Sequence, residues 1–152
     1  MTARWTPPPA QPLVNLHVYG HPAPQGSKRH VGGGRMVEMS KYVGPWREAI
    51  VGEAQRTGVL GLQLDQPVEV HLWFYLPRPK GHLGADGLPK SSAPKYPTTT
   101  PDADKLIRSS LDALTQASIV VDDSRIVTIA AFKLYADRDN LPGARIQIWE
   151  AP

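Results

Sequence analysis

A chain of 152 residues, 41% of them hydrophobic, makes one domain and can bury roughly 68–70% of its unfolded surface without staples. With no cysteine it has neither disulfides nor thiolate metal sites, which fits a reducing compartment. Its net charge of +3 splits into 11 Lys and Arg against 6 Asp and Glu over residues 1–100, and 6 against 8 over 101–152, a division that suits one surface for a polyanion and another for concentrated negative charge.

Residues 1–12, MTARWTPPPAQP, lack the apolar core of a secretory leader, and their prolines bar them from a helix or central strand. A disordered tail is expected there, ahead of a domain over 13–152. No uncharged apolar run approaches the ~18 residues of a membrane span, so a soluble cytoplasmic protein with no membrane partner is expected. Val14, Leu16 and Val18 alternate with polar residues as a half-buried strand. Residues 20–40 then hold five glycines and two prolines with Lys28, Arg29, His30 and Arg35, and read as a long basic loop. Its Gly32-Gly33-Gly34 is no phosphate-cradling fingerprint, so no nucleotide cofactor is expected.

Helical spacing begins near Tyr42, with Val43, Trp46, Ala49 or Ile50, and Ala54 on one face and Gly58 as its stop. Val68 to Leu76 alternates with a period of two and predicts a central strand. Residues 77–100 carry five prolines, Arg78, Lys80, Lys90 and Lys95, and one acid, Asp86, as a second long basic loop. The next helix is predicted with Thr100 as cap, Pro101 in its first position, and Leu106, Ile107, Ser110, Leu111 and Leu114 facing inward. A short strand over Ile119–Val121 and two longer ones, Ile126–Tyr135 and Ala144–Trp149, complete the order strand, helix, strand, helix, strands. This order predicts an α+β fold, a single domain with one mixed sheet covered by helices.

Five of the chain's 14 acids fall between Asp102 and Asp123. Asp102 and Asp104 occupy a helix start, where the dipole favours anions, and Asp104, Arg108 and Asp112 share a stripe. If the strand ending in Asp122 and Asp123 folds back beside that start, the carboxylates converge and repel unless a divalent cation sits among them. Hard oxygen donors suit Mg²⁺, with Mn²⁺ as a substitute, whereas the five scattered histidines make a poor zinc site. Such a cation activates water and clamps a phosphodiester, with Lys105 and Arg108 at hand for the phosphate. Each feature also has an ordinary reading: helix capping, a surface salt-bridge ladder, a turn after a strand.

Asp102-Ala103-Asp104-Lys105-Leu106, Arg108, Leu111-Asp112-Ala113-Leu114 and Asp122-Asp123, in that order, resemble the RusA family of Holliday junction resolvases, many of them phage-encoded. The opening strand leading into YGHPAPQGSKRH is similar to that family as well. The resemblance implies a RusA-like fold and a homodimeric, Mg²⁺-dependent endonuclease of a bacterial or phage-infected cell that nicks four-way DNA junctions symmetrically. It assigns metal binding to Asp102, Asp104 and Asp123, with Asp122 assisting. It places the family's catalytic lysine at Arg108, which keeps the charge but not the ammonium's proton chemistry, and Lys105 could carry part of that role.

Lys28, Arg29, His30, Arg35, Arg78, Lys80, Lys90 and Lys95 are the candidate phosphate contacts, with solubilising surface charge as their plain alternative. Trp5 and Tyr96 could stack on unpaired bases, or simply pack. Two further readings stay open: a non-catalytic DNA-binding module with a salt-bridged acidic scaffold, and a general nuclease of flaps and branched DNA.

Overall fold

The computed structural model describes residues 11–26, 28–30, 36–38 and 41–152, with 28–30 and 36–38 described by their backbone alone. Most of the expected tail, together with Trp5 and Arg35, lies outside these residues.

Strand β1, Val14–Tyr19, buries Val14, Leu16 and Val18 and exposes the residues between them. Within the stretch expected to be a loop, β2, Lys28–His30, and β3, Met36–Glu38, pair antiparallel as a short hairpin. Glycine-rich sequence hid this hairpin, because backbone pairing of three residues a side needs no apolar alternation.

Helix α1, Val43–Arg56, buries Trp46, Ile50 and Ala54 at four-residue intervals. It stops where expected: Gly58 takes φ +80, open to glycine at no steric cost, and donates its N–H to the Gln55 carbonyl at 3.2 Å. Strand β4, Val68–Leu76, buries Val68, Val70, Leu72, Phe74 and Leu76 and leaves Glu69, His71, Trp73 and Tyr75 half-buried on its other side.

Helix α2 spans Ala103–Gln116 and buries Leu106, Ser109, Ser110, Ala113 and Leu114. It starts later than the sequence suggested: Asp102, in extended backbone, takes the cap position, so Thr100 and Pro101 belong to the approach. The predicted strand at Ile119–Val121 shrinks to a single parallel bridge between Leu64 and Val120. Its only partner is the loop ahead of β4, so no ladder can grow.

Strand β5, Ile126–Tyr135, lies parallel to β4, and β6, Gly143–Glu150, lies antiparallel to both β1 and β4. The sheet order is β1-β6-β4-β5. Both helices pack on the face carrying Leu72, Phe74 and Ile146, tied together by Trp46 Nε1 donating to Ser110 Oγ at 3.2 Å. Fully burying each large side chain there contributes roughly 1.5–3 kcal/mol, so this layer holds the helices in place. Among the described residues no helix covers the opposite face, where Trp73 stacks on Phe132 and the Arg145 guanidinium lies 5.5 Å from the Trp73 ring.

Candidate active site

Helix α2 places the acidic residues, and its own start is held from two sides. From β5, Lys133 donates through Nζ to the carbonyls of Thr99 at 2.8 Å and Pro101 at 2.9 Å, clamping the segment that delivers Asp102. From the loop after β1, Gln25 donates its backbone N–H to the Lys105 carbonyl at 3.1 Å, and Ser109 Oγ donates to the Ala23 carbonyl at 2.6 Å. The basic hairpin therefore begins a few residues beyond an anchor on α2.

Asp102 and Asp104 are exposed at the positive end of the helix dipole. The Asp102 side chain makes no capping hydrogen bond, so ordinary capping does not use it; its neighbour is Lys105 Nζ, 3.6 Å from Oδ2. Asp112 leaves the stripe expected to join it to Arg108 and pairs with Arg47 Nη2 at 2.8 Å; the same nitrogen meets Gln25 Oε1. Arg108 thus has no ion-pair partner among the described residues. It lies along Gly26, where a Cβ would come 3.4 Å from its Nη1. Arg108 is exposed and available to a phosphate.

The second acidic pair lies elsewhere. Asp122 Oδ1 accepts from the Ser124 backbone N–H at 2.8 Å, and that bond, helped by the Ser124 side chain and Arg125, holds its carboxyl below the usual range. Asp123 Oδ1 accepts from Thr115 Oγ1 at 2.5 Å, in the last turn of α2. Thr115 is eleven residues past Asp104, or about 16 Å along the helix axis. Within one chain, then, Asp123 does not meet Asp102 and Asp104, and no three acidic or histidine side chains among the described residues are grouped to hold a metal. The reason is topological. The chain leaves α2 at its C-terminal end and turns there through residues 117–125; only β5 returns to the helix start, and what it brings is Lys133.

Sequence reasoning missed Lys133. Its signal was a cation at an inward register position, between Ala131 and Tyr135, in a strand with no other charged residue.

Asp102 and Asp104 still fit a hard cation. Mg²⁺ takes one or two carboxylates and completes its shell with water and phosphate, and both side chains are open to solvent.

Of the expected phosphate contacts, Lys80, Lys90 and Lys95 are exposed. Arg78 is committed to the fold: it donates to the Pro94 carbonyl at 2.8 Å, lies 3.4 Å from His82 Nδ1, and stacks 4.1 Å from the Tyr135 ring centre. It closes the 77–100 loop, which carries its own 3-10 turn at Lys80–His82 and a Leu83–Pro89 bridge. Lys28, Arg29 and His30 lie on β2, whose side chains are not described.

The family model for endodeoxyribonuclease RusA matches residues 20–149. No individually curated protein matches the chain. The chain belongs to the RusA endodeoxyribonuclease family, a family of Holliday junction resolving enzymes, and is thereby an enzyme that hydrolyses DNA phosphodiester bonds. No described helix is long and apolar enough to cross a membrane.

Proposed function

We propose that this RusA-family chain is a Mg²⁺-dependent homodimer that resolves four-way DNA junctions by paired symmetric nicks, in recombination, repair or phage DNA processing within the cytoplasm. Asp102 and Asp104 hold the cation, and Mn²⁺ can replace it. When bound, the metal polarises the scissile phosphate and lowers the pKa of the attacking water. Arg108 and Lys105 bind that phosphate and offset its developing charge. Lys28, Arg29, His30, Arg35, Lys80, Lys90 and Lys95 contact flanking phosphates and position the arms without reading sequence.

The observation carrying this reading is that, in the ordered family motif, the Asp102 carboxylate caps no helix N–H and meets only Lys105, while Arg108 enters no ion pair among the described residues. Asp123 joins the site from a second copy. Strand β5 is an edge of the sheet with Val127 59% and Ile129 46% exposed, a surface that favours pairing. Two such edges pairing antiparallel would lay the Asp123 end of one chain beside the Lys133 end of the other. Asp122 supports this arrangement by capping the turn that presents Asp123. A two-fold dimer matches the two-fold symmetry of a junction, so one particle makes both cuts.

Incubation with a synthetic four-way junction and Mg²⁺ tests the reading: nicks at symmetry-related positions are expected, and their absence under every divalent metal would reject it. Asp104→Asn should abolish cutting, by about 100-fold or more, while junction binding survives on the basic residues.

A further inference from the structure

Three depressions of about 230, 320 and 330 Å³ follow one another as a row, each sharing lining residues with the next. The first abuts Thr99, Thr100 and Pro101, next to Asp102. Tyr135 joins it to the second, under the 77–100 loop, and Tyr75 and Asn140 join the second to the third, on the helix-free face of the sheet. The row thus runs from the start of α2, past the C-terminal ends of β4 and β5, to the end of β1 and the start of β6.

Its chemistry is uneven in a telling way. Four of the chain's five tyrosines line it: Tyr19, Tyr75, Tyr96 and Tyr135. Four cations, Arg78, Lys95, Arg138 and Arg145, face two carboxylates, and Asp137 is already engaged by the backbone N–H groups of Asp139 and Asn140 at 2.9 and 2.7 Å. Lys95, Arg138 and Arg145 enter no ion pair among the described residues. Spaced aromatic rings beside unneutralised cations are what an unpaired nucleic acid strand requires: a flat surface for each base and a charge for each phosphate, with no dependence on base identity.

We propose that these depressions together form one channel for single-stranded DNA, guiding an unpaired strand from the branch point away from the cutting site. It rests on the nuclease reading above and adds a second binding surface to it. A paired duplex hides its base faces, so the channel selects substrates whose strands are open at the centre.

Fluorescence anisotropy with a labelled oligothymidine of about 12 nucleotides, in EDTA, tests the channel apart from cutting. Tyr19 and Tyr96 are 66% and 52% exposed, so their alanine variants keep the fold, which an unchanged melting midpoint verifies. Each of Tyr19→Ala and Tyr96→Ala should weaken oligonucleotide binding about tenfold, and the pair should act together. Arg138→Ala should weaken it and flatten its salt dependence. Oligonucleotide binding that is absent, or equal in all variants, would overturn the channel even if junctions are cut. Poly-glutamate competing as well as the oligonucleotide would also overturn it, in favour of an acidic protein partner. Tyrosine-dependent binding without cutting under any metal would uphold the channel and reject the nuclease reading.

Discussion

The Asp123 carboxylate accepts a hydrogen bond from the Thr115 hydroxyl across 2.5 Å, and Thr115 stands in the last turn of the helix whose first turn carries Asp104. In the dimer proposed above, a site using both acids would draw them from two chains. Mixing an Asp104→Asn chain with an Asp123→Asn chain should restore nicking that neither has alone. Half of the random dimers then hold one whole site of two, so about a quarter of the native activity is expected. No recovery on mixing, under conditions where subunits exchange, would place the complete site within one chain.

Lys133 is a positioning residue: its two charge-assisted bonds fix the carbonyls of Thr99 and Pro101 on the approach to Asp102. Lys133→Ala should lower the nicking rate at saturating junction by about 10- to 100-fold and leave junction affinity nearly unchanged. Lys133→Arg, which keeps the charge and can still donate, should recover part of the rate. The fold should lose only about 1–2 kcal/mol, since these bonds lie near the surface. Equal loss of affinity and rate in single-turnover assays would refute the positioning role.

Gly143 opens β6 at φ +148, and a Cβ there would overlap the Val18 carbonyl oxygen and come 3.0 Å from Tyr19 Cα. Both obstacles are backbone of the paired strand, so neither can swing aside. Gly143→Ala should destabilise the protein by about 2–4 kcal/mol, read from urea unfolding midpoints. A change under about 0.5 kcal/mol would show that the β1–β6 end is free to separate.

The hydrogen bond from Arg56, at 2.6 and 2.9 Å, holds the Glu53 carboxyl below its ordinary 4.5 despite some burial. A carboxyl depressed in the folded state stabilises above its unfolded pKa, and that contribution fades as pH falls through the folded value. The melting midpoint should therefore drop between pH 5 and pH 3, and Glu53→Gln should make the drop smaller. An identical drop in the variant would assign it wholly to other carboxyls.

Where the chain alternates or repeats at helical spacing, its sequence was readable. Val68–Leu76 and the Trp46, Ile50, Ala54 stripe lie in the structure as their patterns imply, because one buried face leaves each residue a single acceptable orientation. The start of α2 was less clear, since Pro101 suits a first helical turn yet equally suits the extended approach it makes. The acidic residues were identifiable but not their distances. Asp123 is near Asp104 along the chain, but that closeness counts residues around a helix end and says nothing of the helix length between them. Lys133 belongs to the approach to α2 only through the parallel return of β5, a long-range relation that no local pattern carries.

Strand β6 sits between β1 and β4, although residues 143–150 are made long after both. During synthesis the ribosome thus releases two strands whose shared neighbour does not yet exist, and their polar backbone edges must wait in water or on a chaperone. A chain halted before β6 can pair β4 with β5 but leaves β1 without its strand partner.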